Sequence, residues 1–327
     1  MGIGASAMKL LVTGGAGFIG SNFIRHMFSS HPDFEILNLD VLTYAGNLNN
    51  LKGIDKNPHY TFIKGDICNR NVVNAILEKH KVDALVHFAA ESHVDRSIEN
   101  ASAFVTTNIL GTHTLLESAR QNDVPKFIHI STDEVYGSTM EGSFKETDIL
   151  SPSSPYSASK AGSDLLALSY YTTHKFPVIV TRCTNNFGPY QFPEKLIPLF
   201  VTNLLDGKKV PVYGTGKNVR DWIHVSDHCR AVEFLLDHGT PGEIYNIGGG
   251  NEKTNLEITK KILDLLKKDN SMIEYVTDRL GHDFRYSLDC SKLHALGWKP
   301  RYSFEEALKE TIMWYTRNEW WWRPLKK

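Results

Sequence analysis

Short, nearly unbroken apolar runs punctuate the first half of the chain: KLLVTG at 9–14, EILNLD at 35–40, YTFIKGD at 60–66, ALVHFAA at 84–90, FIHIST at 127–132 and VIVTRC at 178–183. Between them, at 17–29, 69–80, 101–121 and 157–174, apolar positions recur every three or four residues, as on a helix with one buried face. Strands without polar alternation are buried on both sides. The pattern therefore predicts a parallel sheet covered by helices on each face.

Beyond about residue 183 the rhythm changes. The stretches NNFGPYQFPEKLIP (185–198) and VPVYGTGKNVRDW (210–222) are rich in Gly, Pro and aromatic residues and read as loops and short strands. Helical patterns return at 225–238, 255–266 and 304–317, the last opened by a capping pair, Ser303 and Glu306. This predicts a large domain over 8–183 and a smaller lobe over 184–327, with a soft boundary that segments can cross. Residues 1–7, ahead of Met8, are left outside the fold. The Trp-rich stretch WWWRP (320–324) is expected to pack under the second lobe rather than to stand exposed for a partner.

Composition narrows the function classes. Acidic and basic residues nearly cancel, at net charge −1, and no Lys/Arg block stands out, which argues against nucleic-acid or membrane-surface binding. No apolar run is long enough to span a bilayer and none reads as a signal peptide, so a cytoplasmic location is expected. Cys68, Cys183, Cys229 and Cys290 are far apart and form no CxxC pair, consistent with reduced, mostly buried thiols. His224 and His228 stand at i, i+4, but no Cys or carboxylate ligand set accompanies them at a metal-site spacing. Ser226 and Asp227 mark a helix start there instead, and no metal site is predicted.

The first strand-to-helix turn carries VTGGAGFIG (12–20), with Gly14, Gly17 and Gly20 in GxxGxxG spacing. Glycines permit the tight turn and let backbone N–H groups approach a pyrophosphate, whose charge the helix amino terminus favours. Asp40 closes the second strand, where an acid can accept from both ribose hydroxyls and would repel a 2′-phosphate. These features predict an α/β fold of the Rossmann type: a doubly wound parallel sheet that binds NAD rather than NADP, with a smaller α/β substrate-binding lobe. GDI (65–67), after the third strand, reads equally well as a border of the adenine or as an ordinary turn.

Two further stretches carry chemistry. YSASK places Tyr156 and Lys160 at i, i+4, on one helical face. A phenol is normally a poor base, with a pKa of about 10. A neighbouring ammonium and the positive nicotinamide of NAD would favour its ionised form, letting it take a proton from a sugar hydroxyl. STDEVYG (131–137) sets two carboxylates, Asp133 and Glu134, at the end of a buried strand, a costly juxtaposition unless the pair is used.

A GxxGxxG loop followed by YxxxK resembles the extended short-chain dehydrogenase/reductase superfamily, and the resemblance runs over essentially the whole chain. Within it, STDEVYG resembles the sugar-nucleotide 4,6-dehydratases. So do DVLTYAGNLNNL (40–51), HFAAESHVDRSI (87–98), TRCTNNFGPYQFPEKLIPL (181–199), GKNVRDWIHVSDH (216–228) and DRLGHDFRYSLD (278–289). The resemblance implies oxidation of the sugar at C4, elimination of water across C5 and C6, and return of hydride to C6, with NAD recycled. It implies dTDP-glucose as substrate and dTDP-4-dehydro-6-deoxy-glucose as product, an intermediate on the usual route to dTDP-rhamnose and other deoxysugars.

The same resemblance assigns residues. Glu134 is the C5 base, Asp133 the acid at the C6 oxygen, Thr132 a hydrogen-bond partner of the C4 oxygen, Tyr156 the C4 base and Lys160 its electrostatic partner. Gly14, Gly17, Phe18, Ile19, Gly20, Asp40, Thr43, Asp66, Ile67, Ala89, Ala90, Ser92, Thr107 and Asn186 border NAD, with Tyr156 and Lys160. Ser92 and Thr132 also bind the substrate, and Asn185, Lys195, Leu196, Arg220 and Asn255 line its nucleotide and diphosphate region, Arg220 as a bidentate phosphate contact. Pro211 and Tyr213 flank the base, and Asp278, Arg279 and His282 close over the diphosphate. Leu280 stands where the family more often has Pro. The helices at 101–121 and 157–174 would form a four-helix homodimer interface. Three alternatives stay open: UDP-glucose in place of dTDP-glucose, a UDP-sugar 4-epimerase, which needs no acid pair, and a non-catalytic NAD-binding protein, against which the intact set of five residues argues.

Overall fold

The apolar runs become the strands of one sheet. The computed structural model describes residues 7–278 and 281–326. The first six strands are β1 (Lys9–Thr13), β2 (Glu35–Asp40), β3 (Tyr60–Lys64), β4 (Ala84–His87), β5 (Phe127–Thr132) and β6 (Val178–Cys183). The helices between and beside them are α1 (Phe18–Ser30), α2 (Arg70–His80), α3 (Val94–Glu99), α4 (Ser102–Phe104), α5 (Thr112–Gln121) and α6 (Pro155–His174). A π-helical run, Val105–Gly111, joins α4 to α5 in one continuous helix.

The later elements are β7 (Asn185–Phe187), α7 (Leu196–Leu205), β8 (Val210–Tyr213), β9 (Val219–His224), α8 (Val225–His238), β10 (Ile244–Ile247), β11 (Glu252–Thr254) and α9 (Asn255–Leu265). They end with β12 (Ile273–Val276), α10 (Ser291–Ala295), α11 (Phe304–Arg317) and α12 (Glu319–Trp322). The main sheet has seven strands in the order β10-β6-β5-β4-β1-β2-β3, all parallel, which is the Rossmann-type doubly wound arrangement. On one face Phe23, Ile24 and Met27 of α1 meet Val232, Leu235 and Leu236 of α8. On the other, α2, α5 and α6 bury Leu77, Leu115 and Ala167. Strands covered on both faces explain the absence of polar alternation in the sequence.

Some segments beyond residue 183 cross back to this sheet. β10 pairs with β6, and α8 packs in the core beneath it. α10 packs on β10 there, through Leu293, and the other later elements surround a separate core that includes Phe187, Trp222, Phe304 and Tyr315, with small sheets β11-β9-β7 and β12-β8. α7 falls where composition predicts loops. Pro198 sits in its first turn, where a missing N–H is tolerated, and the apolar run that follows it is buried. In the Trp-rich tail, Trp321 and Trp322 are buried while Trp320 is exposed. Trp321 Nε1 donates to Asn50 Oδ1 at 2.8 Å, which ties the end of the chain to the loop after β2. Ser303 caps α11 by accepting from Glu306 N.

Candidate active site

The site lies at the carboxyl ends of the central strands, where a doubly wound sheet opens its crevice. Gly14 has φ +72°, and a Cβ there would meet the Ala89 backbone N at 2.5 Å. A Cβ on Gly20 would lie 2.4 Å from Gly14 O. The glycines thus let the turn after β1 press against the end of β4 and against itself. Gly17 is the N-cap of α1 and gives no side-chain cap, so the first-turn N–H groups face the crevice without a covering side chain. Asp40 is buried, and its Oδ2 accepts from Ala16 N at 2.9 Å while its Oδ1 accepts from Leu42 N at 2.8 Å. Burial pushes its carboxyl up and the two N–H bonds partly offset that. Glycine cradle, uncapped helix terminus and acid at the end of β2 fit a dinucleotide: pyrophosphate on the first two, ribose beside the third. Gly14→Ala is expected to displace the loop from Ala89, and the purified protein should retain at least about tenfold less NAD on gel filtration.

Every residue assigned to the cofactor, from Gly14 through Asp66, Thr107 and Asn186, lines one cleft, and Thr132, Asp133, Glu134, Tyr156 and Lys160 line it too. The acid pair sits on a single 3₁₀ turn, Asp133–Tyr136, that Thr132 caps. Glu134 N donates to Thr132 Oγ1 at 3.3 Å, and Thr132 Oγ1 donates to Asp133 Oδ1 at 3.1 Å. Asp133 is buried, and its Oδ2 meets no hydrogen-bond partner among the described residues. Burial first, then the neighbouring Glu134 charge, push its carboxyl well above the usual carboxylate range. Glu134 is only partly buried. The turn therefore holds a buried carboxyl with a raised pKa beside a wetter one, the asymmetry that acid and base roles need.

Tyr156 lies in the first turn of α6. Ser154 and Ser157 form a capping box there, and Tyr156 N donates to Ser97 Oγ of α3 at 3.2 Å. One turn on, Lys160 is buried and its Nζ donates to Ile130 O of β5 at 2.7 Å. Burial lowers its pKa from 10.5 to about 8, against the opposing pull of Asp164 and then Cys183. The expectation of an ionised phenol counts the Lys160 ammonium together with the positive nicotinamide of NAD. Burial and the Glu134 charge hold Tyr156 well above its ordinary value, and its hydrogen bond with Thr132 offsets only part of that.

The substrate assignments divide. Ser92, Asn185 and Lys195 line the cleft with Thr132, and Lys195 Nζ donates to Ser92 O at 3.0 Å. Leu196 follows as the first residue of α7. The rest gather on the second lobe. Pro211 and Tyr213 are on β8, and the Tyr213 ring meets His282 edge-on at 6.3 Å. His282 Nδ1 lies 2.6 Å from Asp278 Oδ1. Asn255 opens α9, and its N donates to Asn218 O. Arg220 is buried over the Tyr286 ring at 4.2 Å and donates to Val219 O, Asp283 O and Phe284 O. Its position ties the 283–286 loop to β9, and its charge reaches Asp133. Arg279 and Leu280 lie outside the described residues.

Several cleft residues escaped the sequence reading. Tyr44 and Glu194 both line the cleft, and Tyr44 Oη donates to Glu194 Oε1 at 2.9 Å. Arg96 stacks on Tyr44 at 3.8 Å, and both Arg96 Nη2 and His93 Nε2 stand 3.5 Å from Glu194 Oε2. Three chain segments thus meet on one carboxylate at the cleft mouth. Asn108, in the π-helical run, bonds both Glu91 N and Glu91 O and donates to Ser159 Oγ, which fixes the 89–92 loop. No spacing rule links residues 44 and 194, and a π-helix has no sequence period of its own. The His224 and His228 pair is structural: His224 caps α8 by accepting from Ser226 N, and His228 Nδ1 meets Asn186 Oδ1 at 3.0 Å.

The comparisons agree with this geometry. The family model described as GDP-mannose 4,6 dehydratase matches residues 11–311. A dTDP-glucose 4,6-dehydratase from Streptomyces niveus is 53% identical over 324 residues, covering 98% of this chain and 96% of the relative. The crystal structure of a dTDP-glucose 4,6-dehydratase from Streptomyces venezuelae, solved with NAD bound, has a TM-score of 0.95 and 54% identity over 98% of this chain and 100% of that one. A Bacillus anthracis dTDP-glucose 4,6-dehydratase in complex with NAD gives 0.92 and 53% over the same shares. Matched by the family model over most of its length and by these relatives end to end, the chain belongs to the GDP-mannose 4,6 dehydratase family, among its dTDP-glucose 4,6-dehydratases.

Proposed function

We propose that the chain converts dTDP-glucose to dTDP-4-dehydro-6-deoxy-glucose, and that the residues assigned from the sequence carry the reaction. One observation supports this above the others: a buried Asp133, its carboxyl pushed well above the usual range, beside a wetter Glu134, in the same cleft as Tyr156 and Lys160. NAD would be held by the glycine loop and Asp40 and, when bound, would supply the oxidant for C4 and the same hydride for C6, with a proton returned to C5, so the reaction has no net redox. Tyr156 takes the C4 hydroxyl proton, and the Lys160 charge and the Thr132 hydroxyl steady the negative charge this creates. Once C4 is a ketone, the C5 proton is acidic and Glu134 removes it. Asp133, held neutral by burial, gives its proton to the C6 hydroxyl, which leaves as water. An epimerase needs no such donor, and the depth at which Asp133 is buried disfavours that reading.

Proton NMR of dTDP-glucose with the protein and NAD, and no other oxidant, tests the proposal. A new C6 methyl doublet is expected, without net accumulation of reduced cofactor. A galactose-type signal would establish epimerisation instead, and turnover of UDP-glucose alone would move the substrate to the other nucleotide.

We also propose a homodimer through a four-helix bundle. Val105 and Leu110 on the 102–121 helix and Leu165 on α6 are more than half exposed, at 51%, 51% and 59%, on helices packed side by side. Leu110→Asp combined with Leu165→Asp should shift the protein to monomer mass in light scattering. Retention of dimer mass would place the interface elsewhere. No helix among the described residues is long and apolar enough to cross a membrane, and the four cysteines form no disulfide, in keeping with the cytoplasmic location proposed here.

A further inference from the structure

Beneath the cleft lies a buried polar chain that the mechanism above does not use. Asp164 follows Lys160 by one turn on α6 and is fully buried. Its Oδ2 accepts from Arg182 Nε of β6 at 2.9 Å, and its Oδ1 lies 3.2 Å from His129 Nε2 of β5. Arg182, 2% exposed, uses Nη1 to hold Tyr136 Oη at 2.8 Å, and its guanidinium lies 4.7 Å over the same ring. Tyr136 Oη donates onward to Asn246 Oδ1 of β10 at 2.9 Å. Tyr136 is the last residue of the 3₁₀ turn that carries Asp133 and Glu134. One line of contacts therefore runs from the helix that presents the Tyr–Lys pair, across β5 and β6, to the turn that presents the acid pair.

The charges along this line are unequal. Buried ions are tolerated when paired, and breaking one pair leaves the other charge stranded. Arg182 is paired with Asp164, and Lys160 adds a second buried cation one turn away on the same helix. The groups around Lys160 are Tyr156 and Asp164, each one turn away on its own helix, His87 of β4, His129 of β5 and Cys183 of β6, with which it interacts electrostatically, and Asp133 and Glu134 on the cleft it lines; Arg182 of β6 reaches it through Asp164. Burial holds both histidines neutral, His129 down to about 4. Burial likewise pushes the Cys183 thiol up to about 12. Burial and the Glu134 charge push the Asp133 carboxyl well above the usual range. Burial would push Asp164 up as well, but His129, Arg182 and Lys160 more than offset it and hold its carboxyl below the usual range. Asp164 is thus a carboxylate one helical turn from Lys160 on α6, and its charge raises the Lys160 pKa against burial.

We propose that Asp164 is a positioning residue of the reaction, which keeps Lys160 charged and, through Arg182 and Tyr136, holds that charge in register with the Asp133–Glu134 turn. The inference rests on the reaction proposed above only for its kinetic arm. Its second arm reads the protein by itself.

That second arm is a double-mutant cycle on unfolding, comparing wild type, Asp164→Asn, Lys160→Met and the double variant at neutral pH and at about pH 10. The expected result is a coupling of about tenfold or more in the unfolding constant at neutral pH. It should vanish at the higher pH, where folded Lys160 has lost its proton. In the kinetic arm, the alkaline limb of C4 oxidation should move down by about one pH unit in Asp164→Asn, a roughly tenfold loss above it. Tyr136→Phe should instead slow elimination while leaving C4 oxidation intact. If Asp164→Asn fails to fold, the charge-balanced pair Asp164→Asn with Arg182→Gln serves in both arms. No coupling at neutral pH, coupling that ignores pH, or a rate loss equal at all pH values would overturn the proposal and leave Asp164 a packing residue. Absence of wild-type turnover would overturn the proposed reaction, and the unfolding cycle would still decide the role of Asp164.

Discussion

Glu134→Gln should stop the reaction after its first half. The substitution keeps the side chain's size and its place on the turn that Thr132 caps, and removes only the ability to accept the C5 proton. General-base catalysis is worth roughly 10²–10⁴-fold, so formation of the C6 methyl product should fall by about that factor. C4 oxidation should survive. The Glu134 charge is among the influences that hold both Tyr156 and Asp133 above their ordinary values, and its loss moves the phenol toward ionisation. Enzyme mixed with dTDP-glucose should then show the absorbance of reduced nicotinamide and hold it, whereas wild type shows none at steady state. In deuterated water, exchange at C5 should disappear with the base. The companion change Asp133→Asn separates the roles, because it leaves the base in place: C5 exchange should continue while water is not expelled. Normal turnover by Glu134→Gln would remove it from the mechanism, and loss of C5 exchange in Asp133→Asn alone would exchange the two assignments.

What the chain's pattern reveals follows the range of the forces involved. The buried strands β1 to β6 and the helices between them were legible because each is defined within its own few residues, by an apolar run or a helical period. The glycine loop, Asp40, the Tyr–Lys pair and the acid pair were legible for a related reason: each is a short motif at a strand end. The exceptions are long-range. β10 and α8 return to the first sheet from beyond residue 183, and nothing local distinguishes them from second-lobe elements. α7 hides behind Pro198 and a Gly- and aromatic-rich approach. Glu194 gathers Tyr44, His93 and Arg96 at the cleft mouth across separations of about a hundred residues or more. The raised pKa of Asp133 was inferable only in outline, because two adjacent carboxylates imply that one is raised but not which. Burial decides it. Spacing placed Lys160 beside Tyr156, but the balance between an ammonium's pull and the desolvation of a buried ring depends on depth, which the sequence does not display.

Lys160→Met should lose activity and yet resist unfolding better, relative to wild type, at neutral pH than at high pH. Its activity loss follows from position. Lys160 is the cation one helical turn from Tyr156, and its loss removes that charge from beside the buried phenol. C4 oxidation should drop about 10²–10⁴-fold. Stability follows from linkage. The folded pKa of Lys160 is lowered from 10.5 to about 8, chiefly by burial, so below pH 8 the folded state carries a charge it disfavours. A shift of that size corresponds to about 3 kcal/mol of destabilisation at neutral pH. Between about 8 and 10.5 the unfolded chain binds the proton and the folded chain does not, so this penalty is relieved as pH rises through that window. Methionine has similar length and no charge to desolvate, but it leaves Ile130 O without its donor, a loss of about 1–3 kcal/mol that does not depend on pH. At neutral pH the two terms nearly cancel and the variant should equal or slightly exceed wild type in guanidinium unfolding. From pH 8 to 10.5 wild type should gain on it by about 3 kcal/mol. A difference that stays flat across this range would mean Lys160 is not a buried ammonium in the folded protein, and the electrostatic role given to it at C4 would fall with that. A difference that follows the slope would show a charge kept in the core at the expense of stability, which a chain retains only where the chemistry uses it.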